Sequence, residues 1–462
     1  MRCRQKRRNA LRNHECIRVL WLVLLALVLG VAVRAQDADV LSQESGRSEQ
    51  LINAVDFGAD GRDGEDDTAA LQQALDFLAE NGGGILFLPP GSYITSETVY
   101  IRGPRYLGTS IMGSGAHRTK IVYKGGEFVN VIECTPDAYG GVRLTDLTVQ
   151  GGPGEARDGR GTASYCFFSP EFHRGSEIKR CTFRNAVGLI RIERGWCAEG
   201  VTHCTFRGTT TDRAKSTVTH EQWLEVHGPE SAPVYLASMN ACDLSNNVFL
   251  ALGSESNGEQ TRYAVWVTGS TGSFDNNNFE LIGKPGISPP VQTVLRIAWN
   301  GSMSGGHWEW NQAERAFIEV YDRQPVFSDM EFYVAGCPVL FDNHLHGDLL
   351  VEDCLIQTPF CGALFDAQYP DTAVHFQNCA IRPGRRWTDA TVNDNKGNVL
   401  NTEESFIGHF YPLGTADTND GAYPGEPRRV FPRPLNGYAV SAGYDKRGSG
   451  KRVLEPAESG DG

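Results

Sequence analysis

The chain is short of positive charge: 43 Lys and Arg stand against 56 Asp and Glu over 462 residues, a formal net charge of −13. A surface of that sign repels polyanions, so nucleic acid is not an expected partner. An acidic polysaccharide would need a local Arg cluster or a bridging divalent cation. Long apolar runs are also lacking. The uncharged stretch Val19–Val33 is too short for a comfortable membrane span and follows a basic segment from Arg2 to Arg18. Residues 1–35 therefore read as an export signal rather than as a stable membrane insertion, with a secreted, periplasmic or cell-surface destination. That segment holds eight of the 43 cations and one of the 56 acids, so the remainder carries −20. No loop has the dense alternating acids of a usual calcium site.

What is present is a strongly ordered leading segment. Ala54-Val55-Asp56-Phe57-Gly58-Ala59-Asp60-Gly61 is followed by Asp66-Asp67-Thr68 and then by Gly82-Gly83-Gly84-Ile85-Leu86-Phe87-Leu88-Pro89-Pro90-Gly91. Asp66 or Asp67 can cap a helix that begins at Thr68. Ala70, Leu71, Ala74, Leu75 and Leu78 give that helix one apolar face. It must cover something apolar, such as the open end of a stacked solenoid. The glycines stop it, and Ile85–Leu88 reads as a buried strand.

From about Tyr165 to Arg382 one sentence repeats: Arg180-Cys181-Thr182-Phe183, His203-Cys204-Thr205-Phe206, Asn246-Asn247-Val248-Phe249, Asn277-Asn278-Phe279, Asp329-Met330-Glu331-Phe332, Asp353-Cys354-Leu355-Ile356 and Asn378-Cys379-Ala380-Ile381. A period in the low to middle twenties is one coil of a parallel β-helix, with Cys, Asn, Phe and Ile stacked as interior ladders. Cys181, Cys204, Cys354 and Cys379 then pack as small apolar side chains, and no catalytic thiol is indicated. Cys337 and Cys361 stack closely enough to consider a disulfide.

The leading segment resembles that of the pectate-lyase superfamily, in particular its rhamnogalacturonase/epimerase-like members. The resemblance implies an all-β fold, a single-stranded right-handed parallel β-helix with an N-terminal capping helix. It also implies a carbohydrate-active role, since the superfamily contains hydrolases, lyases, epimerases and phage tail proteins. The polygalacturonase motif set is absent: Arg191-Ile192 is followed by Glu193 rather than Lys, and His346-Gly347 follows Leu345. The expected organisation is a signal at 1–35, a linker at 36–50, the β-helix at 51–383, an irregular packed tail at 384–442 and a disordered end at 443–462.

Chemistry is sought on the outer wall. Strands aligned by apolar alternation are Ile190–Glu193, Leu224–His227, Val265–Thr268, Leu295–Ala298, Ile318–Tyr321, Val339–Asp342 and Ala363–Asp366. Alternation turns Arg191, Glu225, Trp266, Arg296, Glu319, Leu340 and Leu364 outward in one row, and Glu193, His227, Thr268, Ala298, Tyr321, Asp342 and Asp366 in another. Glu225 and Glu193 are the expected catalytic carboxylates, at roughly 5 to 9 Å across adjacent coils, with Arg191 and His227 tuning them. Trp266, Arg296, Glu319, Tyr321 and Asp342 are the expected substrate-binding residues. Hydrolysis of a polysaccharide is favoured over lyase chemistry, with non-catalytic glycan binding as the alternative. No cofactor is required by this reading, although Asp342 and Asp366 could hold Ca²⁺.

Overall fold

The computed structural model describes residues 50–382 apart from 104–107, 139, 153–163, 209–231, 254, 257–258, 261, 286, 289, 346–348, 358–360, 368–373 and 378, together with three short later strands. The expected signal at 1–35, and most of the expected linker and tail, lie outside the described residues. No described helix is long and apolar enough to cross a membrane.

Helix α1 spans Thr68–Glu80 as the spacing predicts, burying Leu71, Ala74, Leu75 and Leu78. The aspartates divide the work differently from a simple cap. Asp66 Oδ1 accepts from the Thr68 backbone N–H at 2.9 Å, whereas Asp67 reaches away from the helix and accepts from the N–H groups of Asp60 and Ile94. Asp67 thereby ties the helix start to the strand Gly91–Thr95. Gln72 does the same one turn later: its amide accepts from Tyr100 N–H at 2.8 Å and donates to Tyr100 C=O at 3.1 Å. The strand Val99–Ile101 would otherwise present these groups unpaired, so the helix closes a sheet edge as well as an apolar end.

Behind the helix the coils build three parallel sheets, of which the second and third run on through the later coils while the first ends at Gly200–Thr202 and a separate four-stranded sheet opens at Gly301–Ser304. The first begins with Leu51–Asn53 and Gly84–Leu88, the second with Gly91–Thr95 and Thr119–Tyr123, and the third with Val99–Ile101 and Ile132–Cys134. Each coil contributes one strand to each sheet in turn, for example Glu177–Lys179, Thr182–Arg184 and Gly188–Ile192. This is a parallel β-helix, and the near-universal hand of parallel crossovers makes it right-handed.

The repeating sentence now has a backbone cause. Asp146, Arg180, His203, Asn246, Asn276, Asp329 and Asp353 all have φ between +52° and +61°, each two residues before a strand of the second sheet. A left-handed residue turns the chain there, which Asn and Asp tolerate best. The following residue, Cys181, Cys204, Asn247, Asn277, Met330 or Cys354, points inward and is buried. The buried amides are satisfied coil to coil: Asn247 Oδ1 accepts from Cys204 N–H, and Asn277 Oδ1 accepts from Asn247 N–H, both at 3.0 Å. Beside them Phe183, Phe206, Phe249, Phe279, Trp308 and Phe332 form a continuous ring stack with centroid spacings of 3.9 to 5.3 Å.

The last coils extend into the tail. His409–Phe410 pairs in parallel with Ala380–Ile381, adding a rung where irregular chain was expected. Leu454–Pro456, inside the stretch expected to be disordered, pairs antiparallel with Tyr438–Val440. Cys337 and Cys361 are register partners, as the sequence suggested.

Candidate functional site

The outer row of the third sheet collects the groups with chemistry. In register, Arg191 is followed by Tyr235, Trp266, Arg296, Glu319 and Asp342. Two adjustments separate this row from the one read in the sequence. The slot between Ile190–Ile192 and Val265–Val267 is filled by Val234–Leu236, so Tyr235 stands where Glu225 was expected. Glu225 and His227 lie outside the described residues. Farther along the row, Ile318 pairs with Phe341 rather than Val339, a two-residue slide. A slide of two preserves the face, and it moves Asp342 beside Glu319 and His344 beside Tyr321. Leu340, expected outside, is buried.

An aromatic and cationic floor supports the centre. The Arg296 guanidinium lies 4.1 Å from the Tyr321 ring, 4.5 Å from Trp266 and 4.9 Å from Tyr263. Trp266 Nε1–H donates to Tyr321 Oη at 2.5 Å, and Arg296 Nη1 donates to Tyr263 Oη at 3.1 Å. Trp266, expected as an open sugar platform, is only 8% exposed because Arg296 covers its face. A guanidinium held against three rings is fixed in place by cation–π attraction and stacking.

Over that floor sits a compact charge cluster. Arg296 Nε is 3.1 Å from Glu319 Oε1, and Arg315 Nη2 is 3.4 Å from Glu319 Oε2 and 2.8 Å from Asp342 Oδ2. His344 Nε2 lies 3.0 Å from Asp342 Oδ1 and 3.4 Å from Arg315 Nη2. Burial pulls the Arg315 pKa down, but Glu319 and Asp342 outweigh it and raise the value. Glu319 and Asp342, expected on an exposed wall, are 3% and 5% exposed, because Arg315 lies across both. The side chains of Arg315 and His344 remain 38% and 30% exposed. Glu319, Asp342 and His344 offer ligand atoms within 4.8 Å of one another. A cation placed among them would meet the two guanidiniums, which already supply positive charge there.

Arg191 and Glu193 form a different unit. Arg191 Nε is 2.5 Å from Glu193 Oε1, and the guanidinium stacks 4.5 Å from Tyr235. Burial lowers the Arg191 pKa, and Tyr165 and Glu193 more than restore it. This ion pair approaches the charge cluster through Tyr235, whose ring meets Trp266 at 5.0 Å. The structure thus brings together Trp266, Arg296, Glu319, Tyr321 and Asp342, while Arg191 and Glu193 pair beside them. Sequence reasoning missed Arg315, Tyr263 and His344. His344 ends its strand two residues beyond Asp342, where the aligned stretch Val339–Asp342 stops. Arg315 precedes its strand by one position and so escaped an alternation count.

A second titratable group lies on the second sheet. His307 Nδ1 is 3.1 Å from Glu331 and Nε2 is 3.2 Å from Glu309. Burial lowers its pKa, but hydrogen bonds to Glu309 and Glu331 prevail and raise it above the ordinary imidazole value. A raised folded-state pKa gives stability that is complete below the unfolded value and is lost as pH rises through the folded one. The difference in denaturation midpoint between wild type and His307→Gln is therefore greatest in mild acid and closes in mild alkali. It stays small, since these side chains are 40 to 44% exposed.

Comparisons place this architecture among known proteins. Residues 51–141 match the family model "Rhamnogalacturonase A/epimerase, pectate lyase-like". Mannuronan C5-epimerase AlgE3 of Azotobacter vinelandii is 36% identical over 111 residues, covering 22% of this chain and 6% of that protein. The chain spans only 6 to 11% of the length of the curated relatives it matches. Among solved structures, the A-module of mannuronan C-5 epimerase AlgE4 from the same organism aligns over 79% of this chain and 100% of its own, with 18% identity and a TM-score of 0.35. Tailspike protein 2 of the Escherichia coli O157:H7 bacteriophage CAB120 aligns over 80% of this chain and 42% of its own, with 14% identity and a TM-score of 0.44. The leading segment at 51–141 is thus similar to the rhamnogalacturonase/epimerase, pectate lyase-like family, and the coils behind it stack as a parallel β-helix.

Proposed function

We propose that this is an exported enzyme that acts on a uronic-acid polysaccharide by removing the C5 proton of a sugar unit. The supporting observation is what the cluster offers to solvent: a guanidinium and an imidazole side by side, with both carboxylates buried beneath them. Proton abstraction next to a carboxylate needs a cation to take up the charge that develops there and a base for the proton. In this reading Arg315 binds the substrate carboxylate. His344 donates Nε2–H to Asp342 and takes the proton on Nδ1, the order expected of a base oriented by a carboxylate. The C5–H electron pair moves into the carboxylate system. Tyr321, the register neighbour of His344, then gives a proton either to the departing C4 oxygen, completing elimination, or to the opposite face of C5, completing epimerisation. The acidic bulk charge disfavours a polyuronate, and Arg296 and Arg315 are the local counterweight. The mannuronan epimerase relatives agree with this substrate class, over the short segment they share.

Hydrolysis remains a second reading because the Glu319 and Asp342 oxygens approach within 4.8 Å, near the carboxyl separation of about 5 to 5.5 Å used by retaining glycosidases. The test is incubation of the secreted protein with alginate and polygalacturonate in deuterated water. Deuterium at C5 or an unsaturated product supports proton abstraction, and its persistence with a chelator supports the guanidinium over a metal. New reducing ends without either signal favour hydrolysis. Binding without turnover overturns the enzymatic reading in favour of glycan recognition alone.

A further inference from the structure

Trp310 departs from the habits of its own strand. Inside His307–Gln312 it has φ +57°, a conformation that a bulky residue rarely adopts. The register against Glu331–His344 shifts between Glu309 and Asn311. Such an irregularity re-aims a side chain: Trp308 and Asn311 are buried, while Trp310 is turned out and 38% exposed. Unusual backbone retained around an outward aromatic is a reason to look for a ligand.

The surroundings are prepared for one. Lys284 Nζ lies 4.4 Å from the Trp310 ring, and Tyr333 packs at 4.7 Å with a tilt of 56°. The Lys284 ammonium makes no ion pair with a carboxylate among the described residues. Ser288 Oγ accepts from Lys284 N–H at 2.8 Å and donates to Leu281 C=O at 2.6 Å. Gly283, at φ +64°, lies so close to the strand end that a Cβ would stand 2.1 Å from Gln312 C=O. Between this loop and the end of the strand opens a hollow of about 260 Å³ lined by Gly283, Ser288, Val291, Gln312 and Glu314. Two wall residues adjoin the neighbouring groups along the chain: Gly283 precedes Lys284, and Glu314 precedes Arg315.

We propose that Trp310, Lys284, Tyr333 and this hollow form an accessory subsite for an acidic sugar unit of the same polysaccharide, an inference that rests on the uronate reading above. The indole stacks on the sugar's C–H face, the ammonium takes its carboxylate, and Gln312 and Glu314 meet its hydroxyls. A neutral-sugar platform would have no use for the ammonium over the ring.

Binding of mannuronate and galacturonate oligosaccharides, each beside its carboxyl-reduced counterpart, is measured by titration calorimetry. Lys284→Met weakens the acidic ligand about tenfold or more and leaves the reduced one unchanged. Trp310→Ala weakens both. Trp310→Phe, which keeps an aromatic face, recovers part of the loss and excludes misfolding as its cause. Equal affinity of wild type and both Lys284→Met and Trp310→Ala for the acidic ligand overturns the subsite, even where turnover persists. Conversely, binding that depends on Lys284 and Trp310 stands when no polysaccharide is turned over, in which case only the catalytic reading fails.

Discussion

His344→Gln lowers turnover by about two to four orders of magnitude, the range typical of removing a general base. Its thermal stability stays near that of wild type, because the side chain is 30% exposed and Asp342 keeps Arg315 at 2.8 Å as a partner. The informative companion is Glu193→Gln. Sequence alternation made Glu193 a catalytic carboxylate, but it is engaged with Arg191 at 2.5 Å and does not join the cluster around Arg315. The expectation is a rate close to wild type. Steady-state kinetics on the turned-over polysaccharide decides the matter. A large loss in Glu193→Gln with full activity in His344→Gln returns the active centre to the earlier coils and refutes His344 as the base.

Trp308→Ala destabilises the body by about 3 to 5 kcal/mol, the usual cost of emptying a buried tryptophan site. Its ring is fully buried between Phe279 at 3.9 Å and Phe332 at 5.2 Å, with Phe317 at 5.7 Å on its flank. In a solenoid each coil is held chiefly by its two neighbours, so a void at this ring weakens both junctions at once. Trp308→Phe behaves differently. The indole Nε1–H is buried with no hydrogen-bond partner among the described residues, and removing that unsatisfied donor offsets part of the lost volume. Urea denaturation followed by circular dichroism gives the comparison. A Trp308→Ala midpoint within experimental error of wild type contradicts the stacked-ladder account.

Both predictions draw on features with different legibility. The ladder was readable because one short sentence, a turn residue, an inward Cys or Asn and an aromatic two positions on, recurs at coil spacing. The two-residue strand period then identifies an outward set of side chains wherever the strand itself is correctly located. That condition failed at Leu224–His227, where an equally apolar alternation competed with Val234–Leu236 and only pairing with Ile190–Ile192 selects the latter. It also failed in register at Val339–Asp342, because a slide of two leaves the alternation intact while giving each residue a different neighbour in the next coil. Arg315 carried no periodic signal at all, since it stands before its strand.

Composition, the leading segment and the coil repeat were enough to determine the parallel β-helix, the capping helix and the outer face on which Trp266, Arg296, Glu319, Tyr321 and Asp342 assemble. These follow from local rules, namely alternation, turn chemistry and the need to bury one face. Only the tertiary structure decided that Asp342 faces Glu319, that Arg315 spans the two and that His344 completes the group. Stacking register between coils is set by the summed packing of whole strands and loops, and neighbours along a column are more than twenty residues apart in the chain, beyond the reach of any local pattern.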